Sequence, residues 1–326
     1  MTDPVGPPEW ERLVLERVAL KAIEEQRRAR QWNALFKLLW FSFAFLVLAA
    51  MLGWVGPSDK EGGSRTTLGK HTAVVDVEGV ISGEDQASAE RLIKGLNRAF
   101  KDSNTAGVVV RINSPGGSPV QAGYVNDEIR RLRAKYPSVP LHAVVEDLCA
   151  SGGYYIAVAA DKIYVDKASI VGSIGVISGG FGYVGALEKL GIERRVYTAG
   201  SNKDFLDAFQ PEKPEERQHM QKLLQEVHEQ FVKVVREGRG KRLKETPEMF
   251  SGFFWTGERS IELGLADALG STEYVAREVF EAEKLVNFTI EENYFETLSR
   301  RLGASFGETF VRSAAKAAAR GALEVR

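Results

Sequence analysis

The chain has little of what disulfide-rich, metal-binding or nucleic-acid-binding proteins require. Among its 326 residues the only cysteine is Cys149, which excludes an intrachain disulfide and a metal site built from several cysteines. The formal net charge of −1 lacks the positive excess of a protein that neutralises many phosphates, so nucleic acid is not an expected partner. With 44% hydrophobic and 27% charged residues, the composition is that of a globular protein of one large domain or two modest ones.

Charge is missing altogether from residues 38–55, which read LLWFSFAFLVLAAMLGWV. A helix of this length spans about 27 Å, close to the hydrocarbon thickness of a bilayer, and Trp40 and Trp54 would lie near its two ends. A cleaved signal peptide is the alternative, but residues 1–37 form too long a leader for a typical one. We therefore expect a retained transmembrane helix.

The flanks of this apolar run indicate its orientation. Basic residues precede it, among them Arg27, Arg28 and Lys37, and this bias favours a cytoplasmic N-terminal segment over residues 1–37. Residues 56–70 are rich in glycine, serine and charge without apolar periodicity, which is typical of a linker. The bulk of the chain is then expected outside the cytoplasm.

From residue 71 onward, strand-like runs alternate with helix-like ones. The strand-like runs are HTAVVDVEGVIS, AGVVVRI, LHAVVE, DKIYV and RRVYT. Helical periodicity marks about 118–135 and 214–239. Such alternation, with strands apolar on both faces, predicts an α/β fold around a mostly parallel sheet with flanking helices over residues 71–285. Residues 286–326 are expected to form a helical or mobile tail.

Two glycine-bearing turns follow strands and open helices. The first runs from Asn113 through Gly116 and Gly117, and the second carries Ser151 followed by Gly152. Paired glycines before a helix expose backbone N–H groups that suit a developing oxyanion, although a plain tight turn would use the same residues. Taken alone, Ser151 would be a helix N-cap; the two turns together favour a ligand site beyond the carboxyl ends of the strands.

A serine nucleophile needs a base, and the histidines are few. His71 and His142 open strands, whereas His219 and His228 lie on the helix predicted at 214–239, so none sits in a loop that would complete a triad. Lys203 follows the predicted strand RRVYT and is the alternative base. An ordinary lysine is protonated near neutral pH, so burial among apolar groups would have to keep its amine uncharged.

Several motifs together resemble the short form of the signal peptide peptidase A family. They are SPGG, CASGGYY, VGSIGVI, the GSNKD loop and the downstream WTGERSIELGLADALG, over roughly residues 71–275. The resemblance implies a ClpP/crotonase-like fold and a Ser-Lys dyad in which Ser151 is the nucleophile and Lys203 the base. It also implies that Ser173 holds the lysine, and that the oxyanion hole comes from Gly152 and from Gly116 or Gly117.

The same resemblance implies the setting of the enzyme. It predicts a serine endopeptidase in the bacterial inner membrane, with its catalytic domain on the periplasmic side, that degrades cleaved signal peptides and other hydrophobic peptides. No cofactor or metal is implied. A ring-like homo-oligomer is expected, in which Lys203 meets a serine across an interface as well as within one chain. Asp204 would favour a charged lysine, so we expect its carboxylate to point away from Lys203.

Other functions are compatible with parts of the pattern. SohB-like or NfeD-like membrane proteases would share the dyad and differ only in substrate. Crotonase-like acyl-CoA enzymes and Clp proteases share the fold, and the apolar run at 38–55 weighs against both. Crotonase-like enzymes are further disfavoured because no obvious acidic base lies near the second turn. Clp proteases are further disfavoured because the triad histidine is missing. A membrane scaffold without activity is the non-enzymatic alternative.

Overall fold

The computed structural model describes residues 9–51 and 69–290, which belong to two compact units. In the first unit, one helix, α1 (Glu9–Met51), runs without a break through the predicted cytoplasmic segment and most of the predicted anchor. Among the helices of the described residues, none is long and apolar enough to cross a membrane. The predicted anchor at 38–55 extends past Met51, so its last residues lie outside the described part of the chain, as do most of the linker and the tail from residue 291.

The second unit contains one sheet. Within residues 69–290 its eight strands are β1 (His71–Glu78), β2 (Thr105–Ser114), β3 (Leu141–Ala150), β4 (Lys162–Val165), β5 (Ile170–Gly172), β6 (Phe254–Thr256), β7 (Ala268–Leu269) and β8 (Leu285–Asn287). The main path runs β6-β5-β3-β2-β1-β8, and β4 pairs with both β3 and β7. Every pairing is parallel except β5 with β6.

Helices connect and cover the strands. In the same unit they are α2 (Ala89–Lys101), α3 (Pro119–Lys135), α4 (Gly152–Ala157), α5 (Val184–Lys189), α6 (Pro214–Arg239), α7 (Gly257–Glu262) and α8 (Thr272–Tyr274), with a 3-10 turn at Gly240–Arg242 and a π-helical turn at Val275–Val279. The start of α3 is fixed by its sequence, because Pro119 suits the first turn and the Ser118 hydroxyl accepts the Gln121 N–H.

Strand β3 pairs with two different strands along its length. Its first half pairs with β4 from His142 to Val144, and its last three residues pair with β5, ending at Ala150 opposite Gly172. On its other edge, the register with β2 shifts between Ile112 and Ser114. The end of β3 is therefore held on both sides by strands that terminate at the same edge.

Apolar side chains cover both faces of the central strands. The larger cluster lies between the sheet and the helices and includes Val75, Val77, Leu92, Leu96, Val110, Ile112, Ile129, Leu132, Ile156 and Ile163. A smaller cluster on the opposite face contains Val109, Val144, Tyr164 and Val275. Burial on both faces explains why these parallel strands read as nearly continuous apolar runs.

The structure confirms the predicted α/β class with a mostly parallel sheet and flanking helices. The strand predicted at RRVYT is wrong: residues 192–198 form neither strand nor helix, and Tyr197 is 92% exposed. A strand needs a neighbour whose backbone groups pair with its own, and this segment has none within the described part of one chain.

Candidate active site

Ser151 lies at the turn between β3 and α4 with an unusual backbone. Its φ is 50° and its ψ is −119°, a left-handed conformation that a residue with a side chain rarely adopts. The Ser151 N–H donates to the Gly172 carbonyl at 2.9 Å, and its carbonyl accepts the Tyr155 N–H at 2.9 Å. These bonds tie the serine to β5 and to α4, so its strained geometry is imposed by its surroundings.

The Ser151 hydroxyl is not used as a helix cap. Ser151 occupies the N-cap position of α4, yet its side chain makes no capping hydrogen bond. An ordinary capping serine accepts an N–H of the first helical turn, as Ser118 does for α3. A strained serine at a strand-to-helix turn, with an uncommitted hydroxyl, is the arrangement that presents a nucleophile.

Cys149, two residues earlier, has the opposite character. Its side chain is fully buried in the core, and burial raises the pKa of the Cys149 thiol. A thiol that is neither exposed nor ionised does not act as a nucleophile. Of the two candidate nucleophiles in this turn, the Cys149 thiol and the Ser151 hydroxyl, the geometry therefore favours the Ser151 hydroxyl.

The first glycine-bearing turn is ordered by Ser114. The Ser114 hydroxyl donates to the Gly79 carbonyl at 2.6 Å and accepts the Gly116 N–H at 3.1 Å. The turn also pairs with Ile81, whose N–H donates to the Gly116 carbonyl and whose carbonyl accepts the Ser118 N–H, both at 2.8 Å. The turn is thus attached to the connection that leaves β1.

The two predicted turns touch each other. A Cβ placed on Gly116 would lie 2.7 Å from both the Gly152 nitrogen and the Ser151 Cβ. The Gly117 nitrogen would lie 3.3 Å from a Cβ on Gly152. The structure thus brings Gly116, Gly117 and Gly152 to the Ser151 turn, and the contact made by Gly116 leaves no room for a side chain.

The amides of these glycines differ in their partners. The Gly116 N–H is already engaged by Ser114. No acceptor for the N–H groups of Gly117 and Gly152 is found among residues 69–290. Backbone donors left without a protein partner are uncommon, and two of them beside a serine can hold a negatively charged oxygen.

Ser173 is the register neighbour of Ser151. Ala150 lies opposite Gly172 in the β3–β5 pairing, so the next residues of the two strands, Ser151 and Ser173, leave the sheet side by side. Ser173 also has a positive φ, 52°, and its N–H donates to the Phe253 carbonyl at 2.8 Å. Two strained serines therefore end adjacent strands.

Lys203 lies in a series of turns after the exposed segment. Its side chain is exposed, and within residues 69–290 it forms no ion pair or hydrogen bond. Asp204, its neighbour, pairs with Lys213 at 3.0 Å. The described hydrogen bonds do not join Lys203 to Ser151 or to Ser173.

The Lys203 loop and the Ser173 turn both contact helix α6. Glu216 on α6 accepts the N–H of Leu206, in the Lys203 loop, at 2.9 Å. His228, farther along α6, contacts the Ile174 carbonyl through Nε2 at 3.2 Å. At 1.5 Å per residue the two anchoring positions are about 18 Å apart along the helix. The Lys203 loop and the Ser173 turn therefore contact different parts of α6.

His228 is a contact that sequence reasoning missed. A carbonyl only accepts, so Nε2 of His228 carries the proton that it donates to Ile174. The amphipathic pattern of α6 places His228 on a helix but does not reveal which loop the helix faces. Within the described residues, no group of three or more His, Cys, Asp or Glu side chains is arranged to hold a metal ion.

Comparison with known proteins identifies the family of this chain. The model of peptidase family S49 matches residues 133–287. A putative protease of Synechocystis is 32% identical, with 64% of this chain and 73% of the relative covered. A putative signal peptide peptidase SppA of Enterococcus faecium is 28% identical, covering 76% of this chain and 80% of the relative. The chain belongs to peptidase family S49.

Two further proteins are similar to parts of this family S49 member. A Na(+)/H(+) antiporter NhaA of Brucella melitensis is 50% identical over 175 residues, covering 54% of this chain and 24% of the relative. The chain thus spans about a quarter of the length of the first curated relatives that it matches. A ClpP1 mutant from Listeria monocytogenes is 15% identical with a TM-score of 0.38, covering 61% of this chain and 91% of that chain.

The family S49 match extends over most of the site. It contains Ser151, Ser173 and Lys203, whereas the turn with Gly116 and Gly117 precedes the matched region. Contacts between that earlier turn and Gly152 therefore join the matched part of the chain to a segment outside it. Membership in a peptidase family favours the peptidase hypotheses over the crotonase-like one.

Proposed function

We propose that this chain is a membrane-anchored serine endopeptidase in which Ser151 is the nucleophile and Lys203 the general base. The observation that carries the proposal is the backbone of Ser151, held at a φ of 50° between β3 and α4 with its hydroxyl uncapped. Membership in peptidase family S49 supports the reaction class. A ClpP/crotonase-like form of the α/β fold is part of the same proposal.

In the proposed reaction, the Ser151 hydroxyl oxygen attacks the peptide carbonyl while the neutral Lys203 amine accepts the hydroxyl proton. The carbonyl oxygen becomes an oxyanion that the N–H groups of Gly117 and Gly152 stabilise, each donor being worth about 3 kcal/mol. The C–N bond then breaks as the lysine returns the proton to the leaving amine. Water, deprotonated by the same lysine, releases the acyl group and regenerates the serine.

Ser173 is proposed to orient the lysine. Its hydroxyl leaves β5 beside Ser151, so an amine that reaches one serine comes within reach of the other. A hydroxyl can accept a hydrogen bond from the lysine amine and hold its lone pair toward Ser151. The Ile174 contact with His228 steadies this turn.

A neighbouring copy of the chain is proposed to bring Lys203 and Ser151 together. Lys203 is exposed in one chain, whereas a neutral amine needs apolar surroundings. The segment that precedes it exposes large apolar side chains: Ile177 and Tyr197 are more than 90% exposed, and Phe181 is 79% exposed. Surface of this kind is typical of an association site, and covering it would bury the lysine as well.

The membrane anchor is proposed at residues 38–55, with a cytoplasmic N-terminus and the catalytic domain on the extracytoplasmic face of a bacterial inner membrane. Support comes from the uncharged sequence and from α1, whose aromatic side chains Phe41 and Phe43 are more than two-thirds exposed. An enzyme held there would meet hydrophobic peptides, including the remnants of cleaved signal peptides. SohB-like or NfeD-like proteases would use the same residues on other substrates.

The proposal is tested with hydrophobic peptide substrates and a fluorophosphonate probe that labels activated serines. Ser151→Ala should abolish both hydrolysis and labelling, whereas Ser271→Ala, which removes an ordinary capping serine outside the two turns, should leave both intact. Lys203→Ala should lower kcat by about 10²- to 10⁴-fold, the usual contribution of a general base. The matched control for Lys203→Ala is Lys189→Ala, which removes a lysine of α5 that has no proposed catalytic role. Hydrolysis that survives Ser151→Ala contradicts the proposal.

The shared dyad has its own test. Ser151→Ala and Lys203→Ala protein, each inactive, should regain hydrolysis when they are mixed under conditions that exchange subunits. Analytical ultracentrifugation in detergent should show an oligomer for the wild type. Tyr197→Glu should lower both the oligomer fraction and the activity, because it places a charge on the exposed apolar segment. A wild type that is fully active as a monomer excludes the neighbouring-copy arrangement.

A further inference from the structure

The loop that carries Lys203 is attached to helix α6 by a buried carboxylate. Glu216, in the first turn of α6, is only 4% exposed, although glutamates are seldom buried without a partner. One of its carboxylate oxygens accepts the Leu206 N–H at 2.9 Å. The other lies 3.1 Å from the Lys213 ammonium. Glu216 therefore holds both the backbone of the loop and the residue just before the helix.

Lys213 extends this attachment to the residue next to Lys203. Its ammonium lies 3.0 Å from an Asp204 carboxylate oxygen and 3.1 Å from Glu216, so one cation bridges two anions. The hydrogen bond from Lys213 lowers the pKa of Asp204 below its ordinary value, and the bond to Asp204 raises the pKa of Lys213. The Asp204 carboxylate is thereby kept on Lys213.

A backbone irregularity lies at the same point. Leu206 has a φ of 53°, one of few positive values for a non-glycine residue in the described ranges. Such a conformation persists only where its surroundings hold it. Between Lys203 and Leu206, Phe205 adds a ring contact with His219 of α6, with centroids 5.6 Å apart. Of the three residues after Lys203, Asp204 is thus held by the residue just before α6, and Phe205 and Leu206 are held by α6 itself.

We propose that Glu216 is a positioning residue for Lys203, acting through the Leu206 amide and through the Lys213–Asp204 pair. The inference rests on the proposed function, because it assigns Glu216 a role in placing the proposed base. Glu216 is 4% exposed and is proposed to act through these contacts. The Glu216 carboxylate fixes the position of the Lys203 loop on α6. This role is the same whether Lys203 acts on Ser151 of its own chain or of a neighbouring copy.

The contacts among Glu216, Lys213 and Asp204 also keep the Asp204 carboxylate away from Lys203, the proposed base. A carboxylate beside an amine favours the protonated amine, which cannot accept a proton. The Lys213 ammonium lies 3.0 Å from an Asp204 carboxylate oxygen and offsets its charge, and Glu216 holds Lys213 in place. Loss of Glu216 would free both Lys213 and the loop backbone, so Lys203 would be displaced and Asp204 would no longer be held on Lys213.

The experiment compares Glu216→Ala with Glu215→Ala, since Glu215 is its exposed neighbour on the same helical turn. We expect Glu216→Ala to lower kcat by about 10- to 100-fold, as for a catalytic group misplaced by about 1 Å, with KM nearly unchanged. Glu216→Gln keeps an oxygen for the Leu206 N–H and should lose less. Glu215→Ala should behave as the wild type.

A double-mutant cycle separates positioning from general stability. If Glu216 acts through Lys203, Glu216→Ala should add little to the loss of fluorophosphonate labelling already caused by Lys203→Ala. A merely structural role would lower labelling by the same factor in both backgrounds. Thermal unfolding and sedimentation of each variant check that it folds and assembles; if Glu216→Ala does not, Glu216→Gln carries the same cycle.

Limited trypsin digestion gives a readout independent of activity. Trypsin cuts after Lys203, and a loop released from α6 opens more often, so Glu216→Ala should speed cleavage at this bond about tenfold relative to Glu215→Ala. Equal kcat values and equal cleavage rates for the two variants overturn the inference while leaving the proposed function intact. An inactive wild type, or an active Ser151→Ala protein, overturns the proposed function instead.

Discussion

Gly116→Ala is the substitution whose effect the structure defines most sharply. Gly116 has a φ of 100°, a conformation that residues with a side chain rarely adopt. The added Cβ would stand 2.7 Å from the Gly152 nitrogen and the Ser151 Cβ, and 2.9 Å from the Ala150 carbonyl oxygen. Ordinary contacts to a Cβ are 3.4 Å or longer. All the atoms that the methyl would meet belong to the backbone or Cβ atoms of the serine turn, so no flexible side chain can move aside.

The size of the effect follows from those distances. Relieving the contacts requires the two turns to separate by about 0.5–0.7 Å, the difference between an ordinary contact and the observed ones. Displacing catalytic groups by about 1 Å lowers rates about 10²-fold. Strained backbone adds about 1–3 kcal/mol of destabilisation. We therefore expect kcat/KM to fall about 30- to 100-fold and the free energy of unfolding to fall by about 2 kcal/mol.

The assay combines peptide hydrolysis, fluorophosphonate labelling of Ser151 and urea denaturation. Gly123→Ala is the matched control, because Gly123 lies in α3 with open space around a built Cβ and no positive φ. That change should leave activity unaltered and raise stability by up to about 1 kcal/mol through helix propensity. Gly116→Ala protein with wild-type activity and wild-type stability would show that the two turns are not in contact, and would refute the reasoning.

Three further predictions concern the supports of the site. Ser114→Ala removes the hydroxyl that bonds Gly79 and Gly116, and the free energy of unfolding should fall by about 1–3 kcal/mol in urea titrations, with lower activity. Arg239→Ala removes the buried partner of Asp267, which keeps only the partly exposed Arg242 at 3.2 Å, and should destabilise by about 3 kcal/mol. Arg236→Ala, which breaks an exposed pair, should change stability by less than about 1 kcal/mol, and equal effects would contradict this. Burial, the largest single influence, favours a higher pKa for Asp267, but the hydrogen bond and charge of Arg239, the Ile163 N–H and the charge of Arg242 together outweigh it and the net pKa is lowered from 3.8. The stability that this pair contributes is therefore full above pH 3.8 and is lost as pH falls through the lowered pKa, and Asp267→Asn should remove that part of the acid dependence of the free energy of unfolding.

The regular elements were predictable because their signals are local. The apolar patterns predicted a strand-like run over residues 71–82 and a helix at 214–239, and the structure has a strand at His71–Glu78 and a helix at Pro214–Arg239. The run RRVYT has the β-branched and aromatic composition of a strand, but composition supplies no partner. Pairing requires two segments, and no strand within residues 69–290 pairs with RRVYT, where Tyr197 is 92% exposed.

The candidate site was predictable in outline. Two turns at the carboxyl ends of neighbouring parallel strands must lie at one edge of the sheet, which is why the sequence alone predicts that Gly116 and Ser151 lie close together. The partners of individual atoms could not be predicted in this way. That the Gly116 amide is taken by Ser114, and that His228 reaches Ile174, depends on how loops and α6 pack.

The amino-acid sequence by itself determined the alternation of strands and helices, the uncharged run at 38–55, and the residue types available for chemistry. Each of these depends on neighbours along the chain. Only the tertiary structure decided the φ of Ser151, the contact between its turn and Gly116, and the attachment of the Lys203 loop to Glu216. These features arise where segments far apart in sequence meet, and the geometry of such a meeting is set by packing of the whole domain.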